Sequence, residues 1–326
     1  MLVTVAICTF NRAESLRRTL DSLAAMAKPS DLAWEIIIVN NNSTDHTDDV
    51  ICEYRDRLPV RREFEPRPGL SNARNRAIDT AKGDYILWTD DDVVVGTGWL
   101  RAYVDAARRW PVAAVFGGPI RVKYEAPAAK WLLEAEPILR EAYAFRDLGN
   151  EIQPLSVAEY RVPYGANFVI RAKEQRECRY DPNLGLAPNR RRYYEEIDVI
   201  VRLLQSGAAG YWIPDAIVDH CIGRERQTIR HIIAYYTGLA ETECFRDAGM
   251  GVPNPSWFGV PRRLWLQLVR GYLRYHIYRL IYPAPVWVPH LQAYASSKGV
   301  FWYWWQQRGQ PSGYSARTEE QRRPGV

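Results

Sequence analysis

The chain has 326 residues, of which 47% are hydrophobic and 25% charged, with a formal net charge of +5; this composition suits a folded protein with a substantial core and excludes a low-complexity chain. Its five cysteines (Cys8, Cys52, Cys178, Cys221, Cys244) form no C-x-x-C pair, so neither a disulfide framework nor a zinc site is expected, and a reducing compartment is. The basic character belongs to the tail: from Gly251 onward there are ten Lys and Arg against two acids, which leaves residues 1–250 at a net −3.

Met1–Ile7 lacks a basic leader region and runs directly into strand composition, so no signal peptide is expected. No segment reaches the ~18 uninterrupted apolar residues of a spanning helix. Leu2–Thr9 is a β-branched apolar run followed by Leu16, Leu20 and Leu23 at helical spacing. A second unit repeats this order, with Trp34–Val39 as a buried strand, Asn40–Asp45 as a polar turn rich in helix-capping residues, and Val50, Ile51 and Tyr54 on a helix. Val60–Phe64 predicts a third strand, broken by Pro66, Pro68 and Gly69 before helical composition over 70–81. Tyr85–Thr89 predicts a fourth strand, which delivers Asp90, Asp91 and Asp92 at its end, before Val93–Val95.

Alternating strands and helices imply an α/β fold with a mostly parallel, Rossmann-like sheet flanked by helices. Ligands of such sheets sit beyond the carboxyl ends of the strands, where Thr9–Arg12, Asn40–Asp45 and Asp90–Asp92 would converge. Three consecutive acids repel unless something positive neutralises them. A hard divalent cation such as Mg²⁺ or Mn²⁺ does so with one or two carboxylates, taking its other ligands from phosphate and water, which points to a nucleotide diphosphate. The plain alternative for an isolated Asp-Asp-Asp is a solvated acidic loop. Neither G-x-G-x-x-G after the first strand nor G-x-x-x-x-G-K-[ST] is present, which argues against the dinucleotide and P-loop modes of holding phosphate.

Further on, residues 119–147 read as a strand end and a helix-rich insert with no assigned chemistry. Tyr164–Arg171 reads as a turn and a strand, with Gly165 suited to close backbone approach. Ile197, Ile200, Val201 and Leu204 form the apolar face of a helix whose first turn carries Glu195, Glu196 and Asp198; acids there also complement a helix dipole without any catalytic role. Tyr211–His220 reads as two short strands meeting at Pro214, and residues 226–245 as a helix. In the tail, Leu264, Trp265, Leu268, Tyr272, Tyr275, Ile277 and Leu280 interleave with five arginines, and Phe301–Trp305 is the densest aromatic cluster. Basic helices carrying Trp and Tyr suit a headgroup interface; a helical cap on the catalytic domain or a homodimer contact are the alternatives. Nucleic acid is not an expected partner, because the acidic crevice repels phosphate in the absence of metal.

Cys8-Thr9-Phe10-Asn11-Arg12, Val39–Asp45, Gly69–Asn75 and Trp88–Asp92 resemble, in order and spacing, the donor-site motifs of family 2 glycosyltransferases with the GT-A fold. The resemblance implies an inverting enzyme that moves a sugar from a nucleotide-diphosphate donor to a hydroxyl of a glycan or lipid-linked saccharide. It implies donor binding by Thr9, Phe10, Asn11, Arg12, Asn40, Asn42, Arg74, Asp90 and Asp91. Asp92 would bind a divalent cation (Mn²⁺ or Mg²⁺), with His220 completing its site, and Arg74 would face the phosphates. Gly165, Asn167 and Asp198 would lie beside the transferred sugar and acceptor. The run Glu195–Asp198 matches the stretch whose second acid is the general base, so Glu196 takes that role with Glu195 as the fallback. The family usually has Asp where Asn40 stands, and an amide both donates and accepts, so the base stays open.

The expected domains are 1–250 as the catalytic domain (1–118 the nucleotide-sugar half, 119–250 the acceptor half), 251–310 as a basic aromatic helical extension, and 311–326 as a disordered tail. The expected location is cytoplasmic, at the inner face of the cell membrane where 262–305 touches it. A sugar nucleotidyltransferase and a catalytically silent nucleotide or sugar binder are the rival readings.

Overall fold

A computed structural model describes residues 1–27, 31–247 and 256–308. The expected disordered tail at 311–326 lies outside the described residues. In chain order the first elements are β1 (Leu2–Thr9), α1 (Ala13–Ala25), β2 (Ala33–Asn40), α2 (Thr47–Glu53), β3 (Val60–Phe64), α3 (Leu70–Thr80), β4 (Tyr85–Asp90), β5 (Val93–Val95), α4 (Trp99–Arg109), β6 (Val115–Gly117) and β7 (Ile120–Tyr124). They are followed by α5 (Lys130–Leu139), β8 (Gln153–Pro154), β9 (Asn167–Arg171), α6 (Ala172–Glu177), the short β10 (Leu186–Ala187) and β11 (Arg190–Arg191), α7 (Glu195–Gln205), β12 (Gly210–Trp212) and β13 (Val218–Ile222). The chain continues with α8 (Ile229–Arg246), β14 (Ser256–Trp257), β15 (Val260–Pro261), α9 (Arg262–Ile281) and α10 (Ala284–Gln307).

The residues gather into two compact units. The first comprises Met1–Pro127, Leu139–Arg190 and Tyr194–Arg224 and holds an eight-stranded sheet in the order β3-β2-β1-β4-β9-β6-β12-β8. β3, β2, β1 and β4 run parallel, as the alternating strand and helix pattern requires. β9 is the departure: it enters antiparallel between β4 and β6, so the sheet is mixed. The central strands are apolar on both faces because helices cover both: Ile36, Ile38, Leu16 and Leu20 belong to one buried layer, and Ile37, Val39, Ala73 and Ile78 to the other.

Strand order reverses at β1, with β2 on one side and β4 on the other, and the carboxyl ends at such a reversal are where sheets of this kind bind ligands. Register aligns those ends, since Thr9 pairs with Asn40 and Cys8 with Asp90. The antiparallel entry of β9 brings Asn167 opposite Thr89, so the loop before it, with Gly165, reaches the same edge. Beyond Asp92 the chain leaves this sheet, and β5 pairs with β13 in a three-stranded sheet completed by β7.

The second unit comprises Ala128–Ile138, Arg191–Tyr193 and the chain from Glu225 onward. α10 packs along both α8 and α9; Gly299 of α10 lies so close to α8 that a Cβ there would stand 2.2 Å from the Thr237 carbonyl oxygen. The aromatic cluster of α10 is used in this packing. Trp265 meets Phe301 edge to face at 4.7 Å and Trp305 at 6.3 Å, and Tyr303 is buried, leaving Trp302 as the exposed large ring of the run.

Candidate functional site

The three acids at the end of β4 are neutralised from within the chain, and by two different arginines. Arg12 Nη1 lies 3.0 Å from Asp91 Oδ1 and 2.7 Å from Asp92 Oδ2. Asp90 turns instead toward Arg74, with 3.6 Å between its Oδ1 and Nη2. Two guanidinium groups thus divide the acidic run between them. Burial raises the Asp91 carboxyl to about 6 despite the opposing pull of Arg12.

His220 reaches Asp92 through strand register. It pairs with Val93, the residue after Asp92, and the Cys221 amide donates to the Asp92 carbonyl at 2.8 Å. The imidazole Nδ1 is 2.8 Å from the Tyr143 carbonyl oxygen, which can only accept, so Nδ1 carries the proton and donates. Nε2 then faces Asp92 Oδ1 at 3.4 Å. A carbonyl-anchored imidazole aimed beside a carboxylate is how proteins orient a histidine ligand. Among the described residues no group of three or more His, Cys, Asp or Glu is placed to hold a metal ion. Asp92 and His220 could supply two donors, and a cation held by them would need its remaining ligands from phosphate and water.

Arg74 is the centre of the second half of the site. α3 begins after Gly69, whose φ of +123° suits glycine, and the Gly69 amide donates to Asn41 Oδ1 at 2.8 Å. The helix carries Arg74 into a cage of Trp88, Phe168 and Tyr180, whose ring centres are 5.8, 5.6 and 5.4 Å from its guanidinium carbon. Only 3% of its surface is exposed. Its Nη2 is 3.7 Å from Glu195 Oε1 and donates to the Gly165 carbonyl at 3.5 Å. Arg74 is thus committed to Asp90, Glu195 and Gly165 inside the protein.

α7 starts abruptly because Tyr194 adopts the left-handed conformation with φ of +70°, which throws Glu195 and Glu196 into the first turn. Glu195 is buried, and that burial, reinforced by neighbouring Glu196 and opposed by Arg74, raises its pKa to about 8. Glu196 is partly exposed, and its Oε1 accepts from the Gly165 amide at 3.1 Å. A Cβ on Gly165 would stand 3.0 Å from that oxygen and 3.2 Å from Arg74 Nη2, so the glycine permits both contacts.

The other candidates divide into loop braces and buried struts. Thr9 is buried at the end of β1, and Phe10 is exposed. Asn11, with φ of +53°, accepts the Thr44 amide at 2.7 Å and so ties the first loop to the second. Asn40 donates to Asp48 Oδ1 at 2.7 Å and accepts from the Ser43 amide at 2.8 Å. Asn42 donates to the carbonyls of Glu65 and Pro66. Asp198 accepts from Arg202 one helical turn on, at 2.9 Å. Asn167 is fully buried; its amide oxygen accepts from Trp99 Nε1 and Tyr103 Oη, both at 2.8 Å, and its nitrogen donates to the carbonyls of Pro119 and Ala216. Its hydrogen-bonding capacity is spent within the protein, so it supports the site from below. Two residues escape a reading of the sequence: Asp48, which holds Asn40, and Tyr180, which walls Arg74. Neither carries a local signal, since each matters only through a distant partner.

Residues 4–164 match the sequence model of the family described as "Glycosyl transferase family 2". Among curated proteins the chain is 32% identical over 171 residues to the succinoglycan biosynthesis protein ExoM of Rhizobium meliloti, covering 52% of this chain and 51% of that one. It is 32% identical over 115 residues to a validoxylamine A glucosyltransferase of Streptomyces hygroscopicus, covering 35% of this chain and 27% of that one. The chain thus spans about half the length of the first relative and about a quarter of the second. The solved mannosyltransferase PcManGT of Pyrobaculum calidifontis, in complex with GDP-Man and Mn²⁺, aligns with a TM-score of 0.55 at 17% identity, over 94% of this chain and 87% of that one. Residues 1–349 of S. aureus TarS with UDP align with a TM-score of 0.52 at 17% identity, over 91% of this chain and 90% of that one. At such identities these two structures establish the fold, which is of the GT-A type.

Proposed function

Since residues 4–164 match the model of glycosyl transferase family 2, we propose that this chain is an inverting glycosyltransferase, moving a sugar from a nucleotide-diphosphate donor to a hydroxyl of a glycan or lipid-linked saccharide. The observation that carries the reading is the meeting of two sequence-distant acidic groups on Arg74, with Asp90 from the donor edge on one side and Glu195 from α7 on the other. The donor edge and the helix that carries the candidate base thereby meet on one guanidinium.

In this reading Glu196 is the general base. It is the more exposed of the two glutamates, and the Gly165 amide fixes its carboxylate. Glu195 is the positioning residue: buried and protonated near neutral pH, it shares Arg74 and leaves the acceptor proton to Glu196. The acceptor oxygen loses its proton to Glu196 as it attacks the anomeric carbon, and a single displacement needs no covalent intermediate. Asp92 and His220 would hold a divalent cation, Mn²⁺ or Mg²⁺, which when bound supplies positive charge to the departing diphosphate. Thr9, Arg12 and the Asn11 and Asn40 loops would frame the donor. Residues 262–305 would meet a membrane surface at the cytoplasmic face.

The test is a donor panel of UDP-, GDP-, dTDP- and CDP-sugars with Mn²⁺, with and without a hydroxyl acceptor, read as nucleoside diphosphate released. Acceptor-dependent release supports transfer. Pyrophosphate release from a nucleoside triphosphate would point to a nucleotidyltransferase, and binding without turnover to a silent binder.

A further inference from the structure

The helical unit shows an apolar line on the side of α9 that its packing does not use. The opposite side of α9 faces α10: Leu264 and Tyr275 are buried, and a Cβ on Gly271 would stand 3.3 Å from the Tyr294 Cα. At about 100° per residue, Leu266, Val269, Leu273, Ile277 and Leu280 fall on the far side of the same helix. These five residues are between 51% and 87% exposed. One exposed leucine is ordinary, but a continuous line over about four turns marks an interaction surface.

The charge around the line is of one sign. Arg263, Arg270 and Arg274 are exposed and recur at helical spacing along one flank, with Arg262 and Arg279 near the ends. No Asp or Glu occurs between Asp247 and Glu319. A protein partner would have to match apolar groups and supply an unbroken row of acids, whereas an anionic bilayer offers both at once, acyl chains beneath phosphates. Among the described residues no helix is long and apolar enough to cross a membrane, so such a helix would lie in the plane of the headgroups. In the aromatic run of α10, by contrast, Phe301 and Trp305 meet Trp265 of α9 and Tyr303 is buried.

We infer that the outward face of α9 is a docking surface for anionic phospholipid, with Leu266, Val269, Leu273, Ile277 and Leu280 entering the acyl boundary and Arg263, Arg270 and Arg274 meeting phosphates. The inference rests on the membrane contact proposed above and narrows it to one helix face.

The experiment is co-sedimentation of the full chain with vesicles of phosphatidylcholine alone or mixed with phosphatidylglycerol. The expected result is binding to the mixed vesicles that falls with added salt and is weak on phosphatidylcholine alone. Replacing Arg263, Arg270 and Arg274 together by Gln should weaken it by about 100-fold, and the pair Leu273→Glu and Ile277→Glu should abolish it. These positions are exposed, and unchanged circular dichroism would confirm that the variants fold. Failure of the wild-type chain to bind the mixed vesicles would sink the membrane contact as a whole. Wild-type binding by the Leu273→Glu, Ile277→Glu chain, with loss in Trp302→Ala, would overturn the assignment to α9 while keeping the membrane contact. Sedimentation velocity without lipid gives the last arm: a wild-type dimer that the same pair dissociates would reassign the face to a second copy.

Discussion

Asp90 and Glu195 lie on either side of one guanidinium, with Arg74 Nη2 3.6 Å from the first and 3.7 Å from the second. Glu195 is buried, like Arg74 among its three rings, and has no water to replace the guanidinium, whereas the Asp90 side chain is partly exposed. Removing the cation takes the counter-charge from the partly exposed Asp90 and a polar partner from the buried Glu195, so the cost falls below the roughly 3–5 kcal/mol of a broken, fully buried ion pair. Arg74→Met should therefore lower the stability measured by urea unfolding by about 1–3 kcal/mol. Arg74→Lys should recover part of it, since it restores the charge but lacks the planar fork. An unchanged urea midpoint for Arg74→Met would remove Arg74 from its bracing role.

The two glutamates of α7 should separate in kinetics. Glu196→Gln keeps the size of the side chain and the contact with Gly165 but cannot take a proton, so turnover should fall on the order of 10²–10⁴-fold. Calorimetric affinity for the nucleoside diphosphate should stay near that of the wild type. Glu195→Gln should retain most turnover, because the neutral amide resembles the protonated acid that burial favours. Reversal of this order would exchange the two roles.

Glu195 also predicts how stability depends on pH. The groups around it are Arg74 from α3, Asp90 from β4 and Glu196 beside it, with Tyr180 nearby. Its folded pKa, raised to about 8, exceeds the ordinary carboxyl value. The folded chain therefore binds one more proton than the unfolded chain between these values, and stability falls as pH rises through that window. Above about 8 this contribution levels off. Urea midpoints measured across the window should decline in the wild type and decline less in Glu195→Gln; parallel slopes would contradict the assignment.

Much of this arrangement was legible in the sequence because it is local. The β-branched runs and leucine spacing fix β1 through β4 and their helices, and the sheet-edge rule alone gathers Thr9, Asn40 and Asp90. What local pattern does not carry is the partner across the sheet. Nothing around Asp91 and Asp92 announces that Arg12 will span them, and nothing around Asn167 announces four partners on other segments. The antiparallel entry of β9 is a tertiary choice as well, and it is what turns Asn167 from a candidate sugar contact into a strut. The tail shows the same limit: the richness of Phe301–Trp305 is plain, but which side of a helix faces its neighbour is decided by packing.

On the proposed reading Arg12 and a cation would compete for Asp92, so removing the arginine should favour the metal. Arg12→Gln is expected to bind Mn²⁺ more tightly than the wild type in the absence of nucleotide, as measured by electron paramagnetic resonance of the free ion. Asp92→Asn and His220→Ala should weaken Mn²⁺ in both backgrounds, since on the proposed reading these residues would supply the two donors. Equal Mn²⁺ affinity in the wild type, Asp92→Asn and His220→Ala would place any metal elsewhere.

Asn167 offers a test of the strut itself. In Asn167→Ala, Trp99 Nε1, Tyr103 Oη and the carbonyls of Pro119 and Ala216 lose their shared partner inside the core. Each stranded buried group costs roughly 1–3 kcal/mol, so a loss of several kcal/mol is expected even after relaxation. Asn167→Asp separates shape from chemistry. It preserves the outline but sets a carboxyl oxygen against those two carbonyls, an arrangement that favours the protonated acid. Its folded pKa would therefore lie above the ordinary carboxyl value, and its deficit relative to wild type should grow as pH rises. Thermal melts at about pH 5 and about pH 8 measure this; a deficit independent of pH would show that the side-chain nitrogen of Asn167 is not the donor to Pro119 and Ala216.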